Sequence, residues 1–239
     1  MNFRRTWVTA LFAASFSALI AMLGWSLTAS ACEGKKGYPT AWWTEIPRDG
    51  VPEWEILPQD AGPGEVILSK RTELGVFSNF AATTIELDGD RFASLEGFWQ
   101  MMKFPESNDD PRSTAPGITW PNTRAQVGQM TGFAAKDAGG IGSKAMTALS
   151  INWVTYRGQK LTYRTADRGE HYQLILRATR AKLAQHPEIK ELLLKTGDLV
   201  LMPDHKQAAD TPPAWKYFEI WQELRTELQK EAAKVNPLH

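Results

Sequence analysis

Apolar residues repeat with a period of two early in this chain and with a helical period late in it. That order restricts the chain to an α+β fold. Thr84-Ile85-Glu86-Leu87 alternates polar with apolar, Asp88-Gly89 supplies a tight turn and Asp90-Arg91-Phe92 returns, so 84–92 reads as a hairpin. Residues 65–68 and 76–80 read as further short strands. From 171 onward the helical period dominates, with helices expected over 171–185, 188–195 and 214–233. The last places Phe218, Trp221, Leu224 and Leu228 on one stripe, with Glu and Lys opposite. Short strands first and helices later predict an α+β, mainly helical single domain with a small antiparallel hairpin or sheet.

The segments between are marked by their punctuation. A helix over 95–104 is capped by Ser94 and stopped by Pro105. Pro, Asp, Ser and Thr make 106–122 a loop. A helix over 125–136 is expected to break at Gly139-Gly140-Ile141-Gly142, and 152–163 has strand character. Residues 33–64 are rich in Gly, Pro and Trp. They read as an extended tether laid partly on the domain, because isolated Trp side chains such as Trp42, Trp43 and Trp54 are rarely left in water. The expected organisation is a leader over 1–31, a tether over 32–64, the domain over 65–233 and a tail over 234–239.

The first 32 residues have an export pattern. Arg4 and Arg5 precede a nearly uncharged apolar run over 7–27, and Ala29-Ser30-Ala31 is the small-x-small site that a signal peptidase accepts. Cys32, the sole cysteine, follows directly, so the segment resembles a bacterial lipobox with Ala29 where Leu is usual. The expectation is an exported, periplasmic or envelope protein with a lipid on Cys32. Two other outcomes stay open: plain cleavage after Ala31, and an uncleaved anchor, since ~20 apolar residues can span a bilayer. A single cysteine excludes an internal disulfide.

Charge and generic motifs narrow the functional classes. Lys+Arg and Asp+Glu number 27 each, so net charge gives no reason to expect direct nucleic-acid binding. His171, His186, His205 and His239 lack the HExxH spacing and there is no second cysteine, so no metal is expected. Residues 139–144 (GGIGSK) superficially suggest a phosphate loop, but lack Walker spacing and a preceding apolar strand. No GxSxG elbow is present.

What remains is Phe77-Ser78-Asn79-Phe80, the hairpin, and residues 94–104 (SLEGFWQMMKF). On a helix Glu96, Gln100 and Lys103 share one stripe with Trp99 beside it, while Leu95, Phe98 and Met102 share another. Two readings are open: a solvated polar face with a Glu/Lys pair, or a catalytic carboxylate packed by Trp99 in a pocket.

The run FSNF, the Asp-Gly hairpin and the S-L-E-x-F-W-Q-x-x-K-F helix resemble the opening signature of the NADAR (YbiA-like) N-glycosidase family. A second block over 175–196, with Gln185-His186-Pro187-Glu188 at its centre, is similar to that family's later helices, and the resemblance spans about 67–229. It implies cleavage of N-glycosidic bonds to ribose, in ribosylaminopyrimidines or ADP-ribosylated guanine, without a cofactor. It implies Glu96 as the key carboxylate, with Phe77 and Asn79 on a strand lining the pocket and Gln100 and Lys103 on its helix. Such a carboxylate can stabilise positive charge on the sugar or deprotonate water. Lys103 can hold a phosphate or attack the opened sugar as an amine.

Two departures bear on this. The family has His after the glutamate where this chain has Gly97. Its C-terminal acidic residue and W-G turn have no direct counterpart here, so Asp204, His205 and Trp215 are the expected substitutes: an acid, a polar ring and a stacking surface. The leading expectation is an N-glycosidase. The alternatives are a nucleotide- or ADP-ribose-binding module that no longer turns its ligand over, and a structural envelope lipoprotein whose Trp-rich tether docks a partner.

Overall fold

The computed structural model describes residues 37–235, and the expected leader and Cys32 lie outside them. The described chain begins with two 3-10 turns, Thr40–Trp43 and Pro58–Asp60. The first drives Trp42 into the core, where its indole Nε1 donates to Glu73 Oε1 at 2.7 Å. Trp43 Nε1 donates to Glu65 O at 3.0 Å. This part of the expected tether is therefore packed on the domain, because two indoles bury a large apolar area and each N–H finds an acceptor.

Strand β1 (Glu65–Ile67) follows. The strand expected at 76–80 does not form. Glu73–Phe77 is a 3-10 turn instead, capped by Thr72, and Phe77 is fully buried with its ring 5.0 Å from that of Trp221. Side chains take the carbonyls that a ladder would use: Lys182 Nζ donates to Val76 O at 2.5 Å and Trp221 Nε1 to Phe77 O at 2.7 Å. Side-chain partners satisfy those buried backbone groups as well as a neighbouring strand would.

The hairpin forms as the sequence requires, β2 (Ile85–Leu87) against β3 (Asp90–Phe92), with Asp88 and Gly89 both at positive φ. Helix α1 (Leu95–Met101) starts where Ser94 Oγ accepts from Gly97 N at 2.9 Å, and every residue of it is buried. Next come α2 (Arg124–Gly128) and α3 (Gly132–Ala148).

The break expected at residues 139–142 is absent, and α3 runs through them. The chain interrupts its helix at 129–131 instead. The glycines serve contact rather than termination. A Cβ at Gly139 would stand 1.7 Å from Gln100 Oε1, and one at Gly142 would stand 2.6 Å from Lys103 Cβ. Glycine here lets α3 press against α1 and the turn after it, which offsets its roughly 1 kcal/mol helix penalty.

A second hairpin, β4 (Trp153–Tyr156) and β5 (Gln159–Thr162), turns at Arg157-Gly158, again at positive φ. Helices α4 (Glu170–Gln185) and α5 (Pro187–Lys195) lead to β6 (Val200–Met202), which lies parallel to β1 with Val66 opposite Leu201. This parallel pair was not expected, since each partner is only three residues long and they are far apart in sequence. Helix α6 (Tyr217–Val235) begins after a 3-10 turn at Pro213–Trp215, a little later than its apolar stripe suggests. The described chain is thus α+β and mainly helical, with its core centred on Phe77, Phe98, Tyr172, Trp42 and Trp221.

Candidate active site

One face of α1 carries the polar residues, and the fold buries it. Glu96 N donates to Asn79 O at 2.9 Å, which ties the helix start to the turn after Phe77. The Glu96 side chain is only 7% exposed, and its Oε1 accepts from Gln100 Nε2 at 2.7 Å. Burial pushes the Glu96 carboxyl above the usual carboxylate range. The Gln100 hydrogen bond and then the charges of Lys103 and Lys136 offset this only in part. The solvated-face reading of this stripe is excluded.

Lys103 is buried as well. Its Nζ donates to Ser143 Oγ at 3.1 Å and lies 5.5 Å over the Tyr163 ring. Burial lowers it to about 8, against the opposing pull of Glu96. It stands next to the cleft without lining it.

Glu96 opens onto a cleft of about 410 Å³ between α1 and the segment that follows β6. The cleft is also lined by Asp204, which is 2% exposed and takes three side-chain donors. Lys70 Nζ reaches Oδ2, while His205 Nδ1 and Tyr217 Oη each lie 3.0 Å from Oδ1. Burial alone would raise Asp204, but the hydrogen bonds from His205 and Lys70 and the charge of Lys70 hold it below the ordinary carboxylate range. The two carboxyls of this cleft are thus pushed in opposite directions by their surroundings.

Aromatic rings close the inner end. Trp99 and Trp215 meet edge to face at 4.8 Å, and Trp99 Nε1 donates to Tyr163 Oη at 3.1 Å. His171 packs against Trp99 at 4.8 Å, and burial pulls it down to about 4, so it is neutral. At the mouth two lysines stand over aromatic faces: Lys70 near Trp54 and Phe80, and Lys136 near Phe80 and Phe133. Aromatic planes beside ammonium groups suit a flat base that carries phosphate.

Of the residues expected from the sequence, Glu96, Asn79, Trp99, Gln100, Asp204, His205 and Trp215 line this one cleft. Phe77 does not: it is fully buried beneath Trp221, because the turn that replaced its strand points it inward. Sequence reasoning missed Lys70, Phe80, Phe133, Lys136 and Tyr217. Phe80 closes the FSNF run and Tyr217 opens the last helix, so both carried a local signal. Lys70 and Lys136 carried none.

Among the described residues no group of three or more His, Cys, Asp and Glu could hold a metal ion. None of the described helices is long and apolar enough to cross a membrane.

No family model matches the chain, and no curated protein matches it in sequence. Among solved structures the chain is similar to the NMR structure of the E. coli protein YbiA, at 22% identity and a TM-score of 0.46, covering 81% of this chain and 98% of that one.

Proposed function

We propose that this chain hydrolyses an N-glycosidic bond between ribose and a base or amine, with Glu96 as the central carboxylate. The observation that carries this reading is a buried carboxyl with a raised pKa on the wall of an open, aromatic, lysine-rimmed cleft. Breaking a C–N bond at an anomeric carbon requires tolerance of positive charge on the sugar; a neutral leaving nitrogen also needs a proton, whereas the pyridinium nitrogen of NAD leaves without one. A desolvated carboxyl held above the usual carboxylate range releases its proton less readily than a free one and is suited to supply that proton. Trp99 and Trp215 offer faces for a base, and Lys70 and Lys136 offer charge for phosphate. The resemblance of 77–104 and 175–196 to the NADAR signature points the same way and suggests a ribosylaminopyrimidine, NAD-like or ADP-ribosyl substrate.

The second reading, a nucleotide- or ADP-ribose-binding module without turnover, is favoured by the departure of 203–216 from that signature. One experiment separates the two. The full chain is incubated with NAD, ADP-ribosylated guanosine and a ribosylaminopyrimidine, and products are resolved by mass. Release of free base or amine supports the glycosidase; ligand-induced thermal stabilisation without release supports the binding module.

Export and lipid attachment at Cys32 form a separate proposal, resting on the leader pattern alone. Palmitate incorporation that persists in Cys32→Ala overturns it.

A further inference from the structure

We propose that His205, oriented by Asp204, activates the attacking water in the cleft that Glu96 also lines; this rests on the glycosidase reading. Asp204 is enclosed and carries Lys70, His205 and Tyr217 as donors, the setting of an ionised carboxylate. Its backbone is fixed on both sides: its N–H donates to Tyr217 Oη at 3.2 Å, and its carbonyl accepts from Ile56 N at 2.9 Å. A histidine that donates Nδ1–H to a carboxylate presents Nε2 as an acceptor, with its tautomer and ring orientation set by that bond. The His205 ring lies parallel to the Tyr217 ring, 8° between planes at 6.0 Å, and its backbone bridges to Glu55. The Gln207 amide nitrogen stands 3.4 Å from Nε2, a long contact that the attacking water must replace, and Gln207 then keeps Trp215 O at 3.3 Å as its acceptor.

Exposure divides the labour in the same sense. The His205 side chain is 39% exposed, so water reaches it, whereas Glu96 is enclosed and already accepts from Gln100. In the step itself the C1′–N bond breaks and its electron pair goes to the departing nitrogen, which takes the proton of Glu96. Water oxygen forms the C1′–O bond and its proton passes to His205 Nε2. For a neutral N-riboside the products are free sugar and neutral base or amine. The site is left with anionic Glu96 and cationic His205, and transfer of that proton back through solvent restores it.

Azide distinguishes this role from simple positioning, because it attacks carbon without losing a proton. His205→Ala in the full chain is expected to lower kcat/KM by roughly 10²–10⁴-fold, with an unchanged melting transition. Sodium azide is expected to restore turnover of that variant and to yield a ribosyl azide by mass. Glu96→Gln should show no such rescue. Should His205→Ala lose its melting transition, His205→Gln is read in the same way. Activity within about threefold of the parent, or a loss that azide does not relieve, overturns the proposal and leaves the glycosidase reading standing. Absence of cleavage by the unaltered chain overturns both.

Discussion

Gln100 donates to the carboxyl of Glu96 at 2.7 Å across one turn of α1, and it keeps that position because Gly139 on α3 has no side chain. The buried carboxyl, its amide partner and the glycine behind them form one packed unit. Gly139→Ala puts a methyl 1.7 Å from Gln100 Oε1 and must displace the amide. Overpacking of this kind costs about 1–3 kcal/mol. Chemical denaturation should show that loss, and activity should fall further than stability does, because the displaced group is the one that holds Glu96.

Gly97 meets backbone rather than a side chain. A Cβ there would lie 2.4 Å from Met130 O, and Gly128 O and Val127 O are also close. Carbonyls anchored in α2 and the turn after it cannot swing away as a side chain can. Gly97→Ala should therefore destabilise by about 3 kcal/mol, at the upper end of overpacking costs, and Gly97→His should not fold. Soluble yield and thermal unfolding check both.

Much of this was legible in the sequence where one local signal decided the outcome. Ser94 announced α1, Asp88-Gly89 announced the first hairpin, and adjacent Asp204 and His205 met as neighbours can. What failed were positions decided by distant partners. A run of glycines reads as a break unless another helix needs the space, and the residues that need it, Gln100 and Lys103, lie some 40 positions away. Val76-Phe77 reads as strand because β-branched and aromatic residues favour one, but Lys182 and Trp221 claim its carbonyls. Lys70 joins Asp204 across 134 positions, which no spacing rule detects.

Glu96 should lower stability as the cost of its role. A carboxyl whose folded-state pKa is raised binds its proton more tightly folded than unfolded. Its favourable contribution is complete at low pH and is lost as pH rises through the raised value. At neutral pH Glu96→Gln removes that penalty and keeps an oxygen to accept from Gln100. We expect the variant to gain about 0.5–2 kcal/mol, seen as a higher Tm at pH 7 and little difference at low pH.

Lys182 gives the opposite slope. It is fully buried and held by Val76 O and Ser78 O, and burial pulls it from 10.5 to about 7. The unfolded chain therefore binds the extra proton between those values, so stability should rise as pH climbs above about 7. Lys103, lowered to about 8, adds a smaller increment in the same direction. Denaturant titrations of the parent and Lys182→Met between neutral and mildly alkaline pH should show a shallower rise in the variant. Equal slopes would mean that Lys182 is uncharged in neither state.

The central claim is that Glu96 makes this cleft a glycosidase, and it is met most directly by comparing the full chain with Glu96→Gln on whichever N-riboside the parent cleaves. Substrate binding and base release are measured separately. The expected result is a fall in release of roughly 10²–10⁴-fold with binding retained within a few-fold. Equal release by the two proteins would contradict the claim.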